Sequence, residues 1–320
     1  MEKFKYKRMI GWLFLPLFFS CTSGKQISQT QFDRFQDNCV RTTPQYQNWT
    51  TPDLQPALTD KELARFTRKS WQMAGLLHVK REMNELMTLE EKRRQHHNVD
   101  DQIRWLELKQ QITDKINLAS LEISAIAAEL DCEEERADQL KGLLQEKMDK
   151  AERRITVAAI LTGATTGLLV GALNLSKGSG NLSEEIGIAG GIAEATLGFL
   201  SLRIKRSHLF KHPKNHLNDV WMGPDSTANF PPVVWYYLNL PFETGSPSLR
   251  ASLKQQWMLL DQLSLTEAEK TTLYFGAGGI YDIGDLDNRS SMLDQLEATI
   301  TLMKKDLQLI TKELIEGKAR

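Results

Sequence analysis

Residues 112–130 read ITDKINLASLEISAIAAEL, and their spacing decides the fold class. Ile112, Ile116, Ala119, Ile123, Ile126 and Leu130 recur at alternating steps of four and three. That pattern lays one narrow apolar seam along a helix, the spacing of coiled-coil packing. Downstream, Ala137, Leu140, Leu144 and Ala151 resume the register after Glu133 interrupts it, and Glu133-Glu134-Glu135 reads as a solvated face. The same rhythm returns in Leu293, Leu296, Ile300, Met303, Leu307, Ile310 and Leu314. Ser291 with Asp294 suits the start of that last helix and Gly317 its stop. Upstream, Thr59 and Glu62 have capping-box spacing and open a helix predicted to run to about Arg94. Asp100 and Asp101 suit the start of the next helix, where negative charge meets the positive end of the dipole. Shorter helices are predicted from about Ser248 to Leu263, and from Thr266-Glu-Ala-Glu269 to near Gly276. The expected fold is all-α: an elongated helical bundle with coiled-coil packing.

One stretch departs from that amphipathic pattern. Ile155 to Leu175 carries no charged residue, and at 1.5 Å per residue it is long enough to cross a hydrocarbon core of about 30 Å. Ile186 to Ile204 is nearly as apolar, interrupted by Glu194 and ended by Arg203. The short polar linker Ser176–Glu185 makes the two halves an antiparallel hairpin. Small residues recur every fourth position in both: Gly163, Gly167 and Gly171 in the first, Gly187, Gly191 and Ala195 in the second. A helix-interior Gly costs about 1 kcal/mol relative to Ala. Rows of them in register point to close backbone approach, the small-xxx-small mode of membrane helices. Arg153 and Arg154 enter the hairpin and Arg203, Lys205 and Arg206 leave it, so these five cations sit on the body side, with only Lys177 in the loop. Insertion of this hairpin into an inner membrane from the periplasm would oppose the positive-inside tendency. An outer-membrane hairpin, or one buried in protein, fits better. Glu194, near the centre, would cost roughly 2.5–3.5 kcal/mol in lipid on scales for comparable charges unless protonated or paired. In an oligomer it could face a lumen or an adjacent helix.

The N-terminus has the build of a secretory signal peptide over residues 1–20: Lys3, Lys5, Lys7 and Arg8, then an apolar run from Met9 to Phe19, then Ser20. The ending Leu17-Phe18-Phe19-Ser20-Cys21 resembles the lipobox of bacterial lipoproteins. By that resemblance Cys21 is the acylated first residue of the mature chain, and Thr22, which is not acidic, implies the outer membrane. The lipobox together with the hairpin is similar to the glycine-zipper lipoproteins of bacterial outer membranes, which implies action by oligomerising in the membrane rather than by catalysis. That likeness covers Cys21 and residues 155–204 only. Long helices flanking an apolar hairpin also resemble, in architecture alone, the α-helical pore-forming toxins. Export leaves Cys39 and Cys132 as an even pair in an oxidising compartment, either a disulfide or two separate thiols.

The domain plan is therefore a signal peptide (1–20), a lipidated tether (21–57), long coiled-coil-like helices (58–154), the hairpin (155–204), an irregular segment rich in Pro and aromatic residues (205–247), and C-terminal helices (248–320). The aromatics Trp221, Trp235, Tyr236 and Tyr237 either pack on the bundle or form a contact surface for a partner or lipid headgroups.

Forty basic against 41 acidic residues give no cationic excess for nucleic acid. His208, His212 and His216 recur at steps of four, but Pro213 disfavours the helix that would align them. Asp282, Asp285 and Asp287 lack EF-hand spacing and suit turn formation and capping. No nucleophile elbow, zinc-protease or phosphate-loop motif occurs. No enzyme, metal or cofactor is expected. The expected role is structural or assembly work in the envelope, with membrane lipid, further copies of this chain or an envelope protein as partners. The alternatives are membrane perforation and a soluble periplasmic coiled-coil adaptor.

Overall fold

The computed structural model describes Cys39, Pro52 and residues 57–95, 98–175, 180–241, 245–259 and 268–316. The predicted signal peptide, Cys21, nearly all of the tether, residues 176–179 of the loop, Thr266 and Gly317 lie outside these residues.

The Thr59–Glu62 capping box forms, and it opens a helix of only 6 residues, α1 (Asp60–Arg65). The expected single helix to Arg94 is three. Thr67 caps α2 (Arg68–Leu76) through the Ser70 amide, and α3 (Lys80–Gln95) follows a corner at which His78 takes φ 55°. The residues at both breaks serve the corners better than they would serve a helix: a side-chain oxygen meets an orphan amide at one, and the left-handed region reverses the chain at the other.

Helix α4 (Val99–Leu175) is one unbroken element of 77 residues, about 115 Å at 1.5 Å per residue. The coiled-coil segment and the first half of the hairpin are therefore a single rod. Its seam is Ile112, Ile116, Ala119, Ile123, Ile126 and Leu130, all buried, continued by Ala137, Leu140 and Leu144. Glu133 does not interrupt that register. It occupies a seam position and is 2% exposed, so it is no part of a solvated face.

Against this seam pack α3, through Met83, Leu86 and Met87, and the two C-terminal helices. The last helix breaks at Leu302, into α10 (Ile283–Thr301) and α11 (Met303–Glu316). It also starts earlier than the Ser291–Asp294 pair would place it, because Asp282 and Asp285 form a complete capping box at the end of a strand.

Between hairpin and C-terminal helices lie α6 (His216–Met222), α7 (Pro232–Asn239), α8 (Leu249–Leu259), α9 (Ala268–Phe275) and a two-stranded antiparallel ribbon, β1 (Ser207–Lys211) with β2 (Gly278–Asp282). The segment expected to be irregular holds two short helices bounded by its prolines: Pro232 opens α7, where its missing N–H costs nothing. Gly278 is needed in the ribbon, because it takes φ 97° and a Cβ there would lie 2.9 Å from the Lys211 Cα. The aromatics are spent on packing. Trp235 and Tyr237 are buried, Trp221 stacks on Phe275 at 4.4 Å, and Trp257 donates its indole N–H to Gln295 on α10. The fold is thus a mostly all-α, elongated bundle with a small ribbon at its side.

Candidate functional site: an exposed apolar hairpin

Beyond Leu144 no residue of α4 is buried, yet the helix continues for another eight turns or so. It is joined there by α5 (Gly180–Leu202), which packs antiparallel against it. The pairing runs in even steps. Glu194 faces Gly163, Gly190 faces Thr166, Gly187 faces Val170, and Ser183 donates to Asn174 at 2.6 Å. Half-buried Ile155, Ala159, Thr162, Thr166, Val170 and Leu173 line the α4 side of this contact. Their steps of four and three repeat the seam of the body.

The outward faces are apolar and bare. Leu168 is 75% exposed and Ile188 66%, with Val157, Ile160, Leu161, Ile192 and Phe199 also at least half exposed. Both helices are long and apolar enough to cross a membrane. None of the spanning stretch of α4 is buried, and only 6% of that of α5. Each such side chain forfeits half or more of the roughly 1.5–3 kcal/mol that full burial would supply. A contiguous surface of this kind marks a binding or membrane face. Three hydroxyls within it are satisfied inside their own helices: Thr162 donates to the Ala158 carbonyl at 2.8 Å, Thr165 to Leu161 at 2.7 Å and Thr196 to Ile192 at 2.8 Å. A segment in lipid must meet its hydrogen bonds internally in just this way.

The glycine rows do not zip the hairpin together. A Cβ at Gly167, Gly171 or Gly191 would meet nothing within 4 Å, and at Gly187 it would find ordinary contact with Val170 at 3.8 Å. Ala195 is exposed. The close approach is made at Gly190, where a Cβ would run into the Thr166 side chain, with the Thr166 Cβ itself at 2.8 Å. Gly163 makes room for the Glu194 carboxylate. Two helices in contact share a single line, so rows spaced by four drift off it, and most of these glycines face outward. Glu194 itself is exposed and makes no ion pair among the described residues.

A second polar cluster, inside the body, has no counterpart among the predicted sites. Glu133 lies 3.0 Å from Arg136 and 3.8 Å from Arg289, all three buried. Arg136 donates to the Lys211 carbonyl at 2.8 Å and Arg289 to that of Tyr274 at 3.1 Å. Both guanidiniums approach the Phe210 ring, at 4.5 and 6.0 Å. Nearby, His212 Nε2 is 3.0 Å from the Tyr281 hydroxyl. Burial, with the charge of Arg289 beside it, pushes the His212 imidazole down to about 2. Burial also lowers His216, against the opposing pull of Glu129 at 3.3 Å. Burial raises the hydroxyls of Tyr274 and Tyr281 well above the ordinary phenol range. These groups clamp the ribbon to α4 and α10. The three histidines share no helix face: His208 lies on β1, His212 just past it, and His216 opens α6. Among the described residues no group of His, Cys, Asp or Glu is arranged to hold a metal. Asp282 and Asp285 cap α10, and Asp287 pairs with Lys141 at 2.9 Å.

Cys39 and Cys132 form a disulfide, Cα to Cα 5.6 Å, which holds Cys39 at the middle of α4. No protein-family model matches the chain, and neither the curated proteins nor the solved structures compared with it contain a match.

Proposed function

We propose that this chain is an envelope lipoprotein, anchored by lipid on Cys21 and facing the periplasm from the outer membrane, with a structural or assembly role exerted through its hairpin. The observation that carries the reading is the bare apolar surface of α4 and α5 beyond Leu144. A surface of this size is covered in use, by lipid or by further copies of the chain. The outward rows Gly167, Gly171 and Gly191 suit a flat, close contact between hairpins once these are in a bilayer. No covalent chemistry is assigned to the chain.

Perforation of a target bilayer is the second reading, and Glu194 favours it. This carboxylate is the one charge in the stretch from Ile186 to Leu202, where facing a water-filled lumen relieves its desolvation.

Alkaline carbonate extraction of membranes carrying a Cys21→Ser chain, exported by a cleavable non-lipoprotein signal in place of residues 1–20, tests the proposal, since that chain has neither a lipid anchor nor an uncleaved apolar leader. Retention in the pellet without aggregation is the expected result. Complete release would transfer the hairpin surface to a protein partner and make the chain a periplasmic adaptor. Dye release from vesicles separates perforation from scaffolding.

A further inference from the structure

The root of the hairpin differs chemically from the rest of it. Arg153 and Arg154 lie on α4 just before its apolar stretch, and Arg203, Lys205 and Arg206 follow the end of the antiparallel α5, so both groups mark the body end of the hairpin. Arg153, Arg154, Arg203, Lys205 and Arg206 are all exposed, and none makes an ion pair among the described residues. The carboxylates nearest to them on α4 are Glu152 and Asp149, and neither pairs with Arg153 or Arg154 among the described residues. Asp282, across the ribbon from Ser207, is spent on capping α10. Arg203 lies over the Phe199 ring at 4.6 Å, pairing a cation with an aromatic where the apolar surface ends. Such pairs suit the boundary between hydrocarbon and headgroups, where the ring sits in the acyl layer and the guanidinium reaches phosphate. From Arg154 to Leu175 α4 rises roughly 30 Å, the thickness of a hydrocarbon core. The polar loop would therefore emerge on the far side just as the cations meet the near one.

We infer that these five residues form a headgroup collar, which seats the body on a bilayer surface rich in anionic phospholipid and fixes the depth of the hairpin. The inference rests on the membrane reading above and adds to it the charge of the lipid and the face of entry. Bare apolar helices need no anionic lipid to partition. The collar makes binding depend on surface charge and on salt, because a Lys or Arg near an anionic surface adds roughly fivefold to affinity and is screened within a Debye length.

The test uses the chain from residue 21 onward with Cys21→Ser, free of the basic and apolar residues 1–20, and flotation with vesicles of phosphatidylcholine alone or with phosphatidylglycerol added, at low and high salt. Compared with it are Arg203→Gln/Lys205→Gln/Arg206→Gln, Arg153→Gln/Arg154→Gln, and a charge-matched control on exposed cations of the body, Lys92→Gln/Arg94→Gln/Lys305→Gln. All substituted side chains are solvent-facing, and circular dichroism checks the helices. Expected is strong, salt-sensitive binding to anionic vesicles, a loss on the order of a hundredfold for the triple collar variant, a smaller loss for the double, and little change for the control. Equal binding to neutral and anionic vesicles would overturn the collar and leave the membrane reading standing. So would equal losses in collar variant and control, which would mark diffuse attraction. Failure of the parent chain to float with either vesicle would overturn both.

Discussion

Helix α4 meets two environments along one continuous rod. From Leu108 to Leu144 its seam is buried under α3, α10 and α11. From Ile155 to Leu175 the same steps of four and three meet only α5, and the other faces are bare. The body buries its seam and a small charged cluster, although single apolar side chains such as Leu106 and Leu121 stay exposed. The hairpin is uncharged from Ile155 to Leu175 and leaves its outward apolar groups uncovered. Equal helix geometry therefore carries opposite solvent preferences, and stability in water is concentrated in the first half. Hydrophobic content alone does not stabilise a region; it does so only where the partner surface is present.

The largest expected effect comes from the buried charges. Glu133→Ala leaves Arg136 and Arg289 buried together without their counter-charge, and should cost about 3–5 kcal/mol in denaturant unfolding. The mirror change in the hairpin, Glu194→Ala, removes an exposed, unpaired carboxylate and should leave the unfolding midpoint within error. If the two variants unfold alike, the asymmetry between the regions is wrong.

Next come apolar deletions. Ile123 is fully buried on the seam, and Ile123→Ala should cost about 2–5 kcal/mol. Leu168→Ala, at 75% exposed, should change aqueous stability by less than about 0.5 kcal/mol while weakening vesicle binding or self-association. A large loss of aqueous stability for Leu168→Ala would mean that the hairpin is covered in solution.

Acid separates the regions too, because the buried histidines lie only in the body. His212 stays neutral in the fold, down to about pH 2 by its depressed value, whereas in the unfolded chain it protonates near 6.5. The unfolded state thus binds the extra proton, and stability falls as pH drops below about 6.5. From pH 7 to 5 the loss from His212 is about 2 kcal/mol, with a further loss in the same direction from His216. His212→Gln should flatten part of that slope in unfolding measured across the range, though it lowers stability at pH 7 through the lost Tyr281 contact. An unchanged slope would place its protonation elsewhere.

Much of the body was legible, and for a physical reason: a seam of Ile, Leu and Ala at coiled-coil spacing has few other places to go. The Thr59–Glu62 cap was legible because it is local, requiring only two side chains and their own backbone. The breaks at Phe66–Thr67, Leu77–Val79 and Leu302 were not, because tertiary corners override a periodicity that runs through them. Glu133 was misread because a carboxylate on a seam looks like a fault until Arg136, three residues on, and Arg289, far along the chain, are seen to face it. The ribbon escaped notice because Ser207–Lys211 and Gly278–Asp282 are short and pair across a long separation. In the hairpin the sequence revealed its extent and apolar character but not which glycines touch, since a row spaced by four predicts a face without saying whom it faces.

The smallest expected effects decide that last point. Gly190→Ala pushes a methyl into Thr166, whose β-branched side chain has little freedom to withdraw within a helix. The hairpin should loosen there, with faster amide exchange along α5 and little change in the body. Gly163→Ala meets only the end of the flexible Glu194 side chain, which can swing outward, so the change should be near neutral. Gly167→Ala and Gly191→Ala meet nothing and gain helix propensity, about 1 kcal/mol each. In water these last two should therefore stiffen the hairpin. In membranes, if the outward rows pack copy against copy, the same methyls should reduce crosslinking between copies. Stiffening in water combined with lost association in lipid would assign the outward glycines to contacts between hairpins. Stiffening in both would leave Gly190 as the one glycine that the hairpin requires.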